Sequence, residues 1–126
     1  MKKKSKRAYL KRKKEFRYHN VEKINRVGKK IKTMHPAYVF LKKGNLFIYV
    51  SITHSNNIKG QIVIQLRKNP NPKDNKKSYY VKEIRIDTKD RFGRIKENWL
   101  IDAQDDSDIR EFFKETKKDD SADHTD

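Results

Sequence analysis

The pattern of apolar positions is most regular over residues 35–66, and it predicts the centre of the fold. Residues 37–41 form a short apolar run, and residues 46–53 form a second run that is rich in aromatic and β-branched side chains. Between the two runs, residues 42–45 include Gly and Asn, which tolerate positive φ in tight turns. We therefore predict a β-hairpin here, followed by a third strand over residues 61–67.

Weaker patterns complete the expected fold. Residues 78–87 alternate apolar and polar side chains and predict a fourth strand, and residues 95–101 predict a fifth short strand or an edge. Ser107 is suited to cap a helix over residues 108–117. Residues 21–34 fit either helical spacing or a helical turn followed by a short strand.

The elements together predict a mainly β fold with one C-terminal helix. A small curved sheet or an SH3-like barrel accommodates about five short strands and one helix. A basic α+β sheet of nuclease-like type, with one helix on a face, is the alternative.

Charge divides the chain into three parts. The chain has 126 residues and a formal net charge of +16, and 40% of its residues are charged. Residues 1–20 predict a basic arm that is flexible or disordered alone, or helical on binding. Residues 21–117 then form a single β-rich domain, and residues 118–126 form an acidic, disordered tail.

The excess of cations makes a polyanion the expected partner, and we favour nucleic acid, with RNA ahead of DNA. A membrane is not expected as a partner, because no apolar run approaches the length of a span. Lysine and arginine side chains can neutralise phosphates, and tyrosine rings can stack on bases. The residues expected to do so are Lys11, Arg12, Lys13, Lys14, Arg17, Lys29, Lys30, Lys42, Lys43, Lys68, Tyr79 and Tyr80.

Several kinds of chemistry are disfavoured by composition. The chain contains no cysteine, which excludes disulfides, thiolate zinc sites and a cysteine nucleophile and fits a cytoplasmic location. Its four histidines show no paired spacing with carboxylates, so we expect no metal and no other cofactor.

Metal-independent RNA cleavage is the reaction that the remaining polar residues could perform. It needs a base for the 2′-hydroxyl, an acid for the leaving oxygen, and donors for the charged phosphorane. Because the predicted hairpin is antiparallel, its outer ends lie side by side, which brings His35 next to residues 53–55. The candidate catalytic residues are His35, Thr53, His54 and Arg67.

Positions along the hairpin and the third strand also carry a family resemblance. They are His35, Pro36, Ala37, Val39, Leu41, Asn45, Val50, Thr53, Ser55, Lys59, Gly60 and Leu66. This pattern resembles the first half of PemK/MazF-like toxins. The resemblance implies an SH3-like-barrel endoribonuclease, usually dimeric and usually made with an antitoxin, with catalytic positions at His35 and Thr53. That family usually has arginine at the position of His35.

Three functions follow as hypotheses. The first is an RNA-directed nucleic-acid-binding protein, as the excess of cations indicates. We assign it to a mobile-element type because the Lys/Asn/Ile-rich chain is also similar to small mobile-element proteins of Gram-positive bacteria. The second is a toxin-like, metal-independent endoribonuclease. The third is an inhibitor of a host nucleic-acid-processing protein. An antitoxin or a host target is a possible protein partner, and a homodimer is a further possibility.

Overall fold

The computed structural model describes residues 9–124, and it describes side chains as far as residue 117. It confirms the mainly β fold with one C-terminal helix: an antiparallel sheet that is curved but does not close. The elements are β1 (Leu10–Ile24), β2 (Lys30–Lys43), β3 (Leu46–Thr53), β4 (Val63–Gln65), β5 (Tyr79–Val81), β6 (Arg85–Thr88), a 3₁₀ turn (Lys89–Arg91) and α1 (Ala103–His124).

The predicted hairpin is present as β2 and β3. The pairing runs from Ala37 opposite Ser51 to Lys43 opposite Leu46, and Gly44 closes the turn with a φ of 61°. Residues 37–41 are all buried because this hairpin is covered on both faces. The uninterrupted apolar run therefore reflects two buried faces rather than one.

Two strands share the outer edge of β3. β6 pairs with β3 from Leu46 to Tyr49, whereas β5 pairs only with Ile52 and Thr53. The single strand predicted at residues 78–87 is therefore wrong. A tight turn, in which Glu83 N donates to Val81 O at 2.8 Å, redirects the chain between β5 and β6.

Residues 10–20, which the sequence placed in a basic arm, instead form the first part of β1. Alternation of side chains across the strand turns Phe16 into the core, where it is 1% exposed. Glu15 lies 3.0 Å from Arg17 Nε and 3.5 Å from Lys13 Nζ, which reduces repulsion between the cations. The rest of the predicted arm, residues 1–8, lies outside the described residues.

The free edge of β1 is covered by the chain that follows β6. Phe92 bridges to His19, Gly93 N donates to Tyr18 O at 2.9 Å, and Lys96 N donates to Phe16 O at 2.7 Å. The strand predicted at residues 95–101 does not form, because only isolated backbone groups of this segment bond to β1. The covered edge is protected from pairing with other chains.

Two apolar cores lie on opposite faces of the hairpin. The core beneath α1 includes Phe16, Tyr38, Phe40, Val50 and Ile109, with Trp99 packed at its margin. The second core contains Ala37, Val39, Phe47, Tyr49 and Phe92.

Helix α1 begins earlier than the sequence predicted. Asp102 caps it, because its Oδ2 accepts hydrogen bonds from the backbone N–H of Gln104 and Asp105 at 3.1 and 3.2 Å. The predicted cap, Ser107, lies within the helix. The predicted acidic tail is helical as far as His124, and residues 125–126 lie outside the described residues. Among the described residues, no helix combines the length and apolar character needed to cross a bilayer.

A buried polar network fastens α1 to the sheet at two β-bulges. The bulges lie where the β1–β2 and β2–β3 registers shift, and they contain Lys13 and Phe40. Arg110 donates to the carbonyl oxygens of both residues, at 2.6 and 2.8 Å. Its Nε also donates to Asp106 at 2.9 Å, and Asp106 accepts the Tyr38 hydroxyl at 2.6 Å. Burial and this carboxylate raise the pKa of Tyr38.

Replacing Arg110 by Ala should destabilise the fold strongly. The change removes the donor to the two bulge carbonyls and the nearest cation of the buried Asp106 carboxylate, which keeps only the Tyr38 hydroxyl and the more distant Arg12. We expect a loss of about 3–5 kcal/mol in the free energy of unfolding. Urea denaturation followed by circular dichroism measures it. Lys114→Ala, on an exposed part of the same helix, is the control. A loss no larger than that of the control would contradict the role of the network.

Candidate functional site

The outer ends of β2 and β3 meet, as the hairpin register requires. His35, Thr53 and His54 line one cavity of about 360 Å³. Arg67 does not line this cavity. It lies beside the first turn of α1, where its backbone N–H donates to Asp105 Oδ2 at 2.9 Å. Among the described residues, no hydrogen bond joins His35 to Thr53 or to His54. Three of the four candidate catalytic residues are therefore neighbours, without direct contact through hydrogen bonds.

This cavity continues into a larger one of about 600 Å³, and both are lined by Tyr18, Trp99 and Asn71. We call the two together the aromatic groove. The rings of Tyr18 and Trp99 meet edge to face, with centroids 6.4 Å apart. Lys96 Nζ lies 4.8 Å from the first centroid and 5.8 Å from the second. The groove thus offers aromatic surface beside a cation.

The core holds both rings of the aromatic groove in place. Trp99 packs against Phe16 with centroids 5.7 Å apart, and its backbone N–H donates to Lys96 O at 3.0 Å. Tyr18 belongs to β1, whose edge is bonded to Gly93. Since both rings are fixed before any ligand arrives, stacking on them costs little side-chain entropy.

The opposite wall of the groove is a loop ordered by its own asparagines. Asn69 Oδ1 accepts the N–H of Asn71 at 2.9 Å, and Asn71 Oδ1 accepts the N–H of Lys73 at 3.1 Å. The carbonyl of Pro70 accepts the N–H of Leu100 at 3.0 Å, which ties this loop to the segment that carries Trp99. Asparagine side chains that bond the backbone two residues ahead stabilise such turns.

Ser78 lies in the wall of the same cavity, and its hydroxyl is buried without a partner. Its residue is 2% exposed, and within the described part of the chain its Oγ is the one buried side-chain polar atom without a hydrogen-bond partner. Ser78 lines the cavity together with His35 and Thr53. A buried polar atom without a partner is destabilising, and because this hydroxyl oxygen is not accessible at the cavity surface, it is a cost of the fold rather than a ligand contact.

His54 is held at both ring nitrogens. Nδ1 lies 3.2 Å from the carbonyl oxygen of Lys77, and Nε2 lies 3.0 Å from Asp74 Oδ2. The backbone N–H of Lys76 is the main cause of the lowered pKa of Asp74, with His54 contributing. A carbonyl and a carboxylate both accept, so each ring nitrogen donates to its partner when it carries a proton. Both ring nitrogens of His54 therefore already have partners within the protein.

A second cavity, also of about 360 Å³, lies against His35 and Thr53 from the other side; we call it the cation pocket. Arg85 and Lys23 supply positive charge, and Arg85 also lies 3.8 Å from Glu83, outside the lining. Among the described residues, no carboxylate lines this pocket, which makes it suited to an anion. The lining residues are His19, Val21, Lys23, Thr33, His35, Tyr49, Ser51, Ile52, Thr53, Ile58, Gln61, Val81 and Arg85.

A buried hydrogen-bond chain supports the floor of the cation pocket. His19 Nε2 lies 2.8 Å from Asp87 Oδ2, and His19 Nδ1 lies 3.3 Å from the Tyr49 hydroxyl. Burial raises the pKa of Tyr49, so the phenol stays protonated and can donate to His19. Burial opposes ionisation of Asp87, but hydrogen bonds from His19 and from the N–H of Thr88 outweigh it and lower its pKa.

The residues predicted to bind nucleic acid are scattered. Tyr80 is buried in the main core, and the guanidinium of Arg17 is bound to Glu15 and to the carbonyl of Gly93. Arg12 lies 3.6 Å from Asp106. The others lie on β1 (Lys11, Lys13, Lys14), in and before the start of β2 (Lys29, Lys30), at its end (Lys42, Lys43), after β4 (Lys68) and on β5 (Tyr79).

The selection of candidate residues from sequence did not include Trp99, Lys96 or His19. Trp99 is the single tryptophan of the chain and stands at the start of a short apolar run, directly after Lys96-Glu97-Asn98. A tryptophan is rarely buried completely, so this position is a signal of a partly exposed ring. His19 has no comparable signal, because its partner Asp87 is 68 residues away.

No protein-family model, curated protein or solved structure matches this chain. The resemblance to PemK/MazF-like toxins therefore stays a prediction. Among the described residues, no group of three or more histidine, aspartate and glutamate side chains is placed to hold a metal ion.

Asp87→Asn should make the free energy of unfolding less dependent on pH in the acid range. Because the pKa of Asp87 is lower in the folded chain, its stabilisation is present above about pH 4 and is lost as pH falls through the folded pKa. The variant should therefore be less stable than wild type at pH 7, and the difference should shrink towards about pH 2. Urea denaturation across this range tests it, with Asp90→Asn as the control for net charge. A difference that stays constant with pH would contradict the assignment.

Proposed function

We propose that the protein binds single-stranded nucleic acid, with RNA preferred over DNA, across the wall formed by His35 and Thr53. The observation that carries the proposal is that these two residues line both the aromatic groove and the cation pocket. A strand that crosses the wall can place bases in the groove and a phosphate in the pocket.

Stacking supplies the attraction in the groove. The faces of Tyr18 and Trp99 suit any base, and stacking contributes about 1–3 kcal/mol per base in proteins that bind single strands. The side-chain amide of Asn71 and the hydroxyl of Thr53 belong to residues that line the groove and add hydrogen-bonding groups. Hydroxyl and amide groups of this kind can also meet the 2′-hydroxyl of RNA, which supports the preference for RNA.

Phosphate binding supplies the rest of the affinity. The chain has a net charge of +16, and the cation pocket places Arg85 and Lys23 beside His35. Each cation that neutralises a phosphate releases condensed counterions, so binding should weaken steeply as salt concentration rises.

Trp99→Leu should weaken binding of a single-stranded RNA oligonucleotide by about 5- to 100-fold, because one stacking surface is lost while an apolar side chain remains against the core. Fluorescence anisotropy at fixed salt measures the affinity, with a DNA oligonucleotide of the same sequence to test the preference for RNA. Leu100→Ala, at an exposed neighbouring position, is the control. Equal affinities of Trp99→Leu, Leu100→Ala and wild type would exclude the groove as the binding site.

Metal-independent RNA cleavage is a second candidate function, because His35 and Thr53 border both cavities. Thr53 Oγ1 accepts the N–H of Ser55 at 3.0 Å, which leaves its hydroxyl hydrogen free to donate towards a phosphate. Both ring nitrogens of His54 already have partners within the protein, so His35 is the histidine that could accept a proton from the 2′-hydroxyl.

If the site cleaves RNA, cleavage should persist in EDTA and fall by about 10²–10⁴-fold in His35→Ala, the size of a general-base contribution. Thr53→Ala should lower the rate as well, whereas His54→Ala should act mainly through binding. Gel analysis of end-labelled RNA gives the rates. Cleavage that survived both of the first two substitutions would remove this site from consideration.

A further inference from the structure

Beyond the pairing of His19 with His35, β1 and β2 continue as a two-stranded ribbon formed by residues 20–34. Paired residues run from Asn20 opposite Met34 to Ile24 opposite Lys30, and none of residues 20–34 is buried. At about 3.3 Å per residue, the ribbon reaches about 17 Å past the last core pair. The core does not require this length of hairpin.

The tip of the ribbon is ordered by its own hydrogen bonds. Asn25 Oδ1 accepts the N–H of Val27 at 3.0 Å and that of Lys29 at 2.9 Å, and Gly28 adopts a φ of 82°. Asn25 N also donates to Lys29 O at 2.9 Å. The turn therefore holds Val27, which is 84% exposed, in a fixed position.

The ribbon is cationic on both faces. Residues 20–34 include five lysines and arginines and a single glutamate, Glu22. Cross-strand pairs mix charge with apolar surface: Ile24 stands opposite Lys30, and Lys23 stands opposite Ile31. Because apolar side chains form no continuous face, the ribbon is poorly suited to a protein groove or a bilayer. Cations distributed over both faces suit a partner whose phosphates lie on both sides, as in a nucleic acid groove.

The ribbon starts where the proposed single strand would leave the site. Val21, Lys23 and Thr33, near its base, are part of the lining of the cation pocket. A strand that passes from the aromatic groove through the pocket therefore meets the ribbon next. Bases are accessible to stacking in loops and bulges, and such single-stranded segments of RNA are commonly joined to a duplex stem.

We infer that the ribbon is a second RNA-binding element, and that the ligand is a stem–loop RNA whose unpaired loop occupies the aromatic groove. This inference rests on the proposed function. The A-form duplex has a wide, shallow minor groove, bordered by phosphates and displaying 2′-hydroxyls. The ribbon lies along that groove, its lysines meet phosphates on either side, and Val27 contacts the sugar edges.

The test compares Lys29→Gln/Lys30→Gln/Lys32→Gln with wild type on two probes: a stem–loop RNA and the loop sequence alone as a linear strand. Wild type should bind the stem–loop more tightly. The variant should lose about tenfold on the stem–loop, stay within about twofold on the linear strand, and reduce the stem–loop salt slope by about 2–3. Lys89→Gln/Lys114→Gln/Lys117→Gln, the same loss of charge at exposed lysines elsewhere, is the control.

The outcomes separate the two proposals. If wild type gains no affinity from the stem, or if the ribbon variant weakens both probes equally or matches the control, the ribbon inference is wrong. If Trp99→Leu leaves affinity for the linear strand unchanged, the proposed function fails instead. A DNA stem–loop bound as tightly as the RNA, with the same dependence on the ribbon lysines, would overturn the assignment to an A-form minor groove.

Discussion

The structure depends on the guanidinium of Arg110. A curved sheet needs bulges, and each bulge frees backbone groups that the ladder would otherwise pair. Lys13 and Phe40 have carbonyls at the two bulges, and the Arg110 side chain supplies planar donors to both while it is held by Asp106. One cation on the helix therefore satisfies carbonyls from two strands. Helix position and sheet curvature are coupled. A shift of the helix or a flattening of the sheet would separate Arg110 from the carbonyls of Lys13 and Phe40 and leave those acceptors without a donor.

Curvature in turn creates the site. Because the sheet bends, the chain after β6 passes from the outer edge of β3 to the free edge of β1, where Gly93 and Lys96 bond to it. That path delivers Trp99 beside Tyr18 and opposite the asparagine loop. The aromatic groove thus combines residues that are about 80 positions apart, and they are joined both by backbone hydrogen bonds to β1 and by the contact between the Tyr18 and Trp99 rings.

Local signals explain what the sequence could predict. The hairpin and the bounds of β3 follow from a β-branched run and a Gly-Asn turn, and antiparallel pairing then places His35 near Thr53. Long-range contacts explain the failures. Residues 10–20 look like an isolated cationic arm until β2 and residues 92–96 are available to pair with them. The start of the helix was misplaced because Asp105 and Asp106 resemble surface residues in the sequence. Both are buried, since Asp106 accepts the Tyr38 hydroxyl from the sheet and Asp105 accepts the N–H of Arg67 from the loop after β4.

Binding and cleavage place different demands on the wall between the two cavities. An anion needs donors, and they are available here: the Thr53 hydroxyl can donate because its oxygen already accepts the Ser55 N–H, and Lys23 and Arg85 line the adjoining pocket. Cleavage also needs an acceptor for the 2′-hydroxyl proton, and His35 is the candidate on this wall. Among the described residues, no hydrogen bond from Thr53 or His54 holds the His35 ring in position. A site with several donors and a single unpositioned base is better arranged to hold a phosphate than to break its ester, because general-base catalysis depends on alignment as well as on charge.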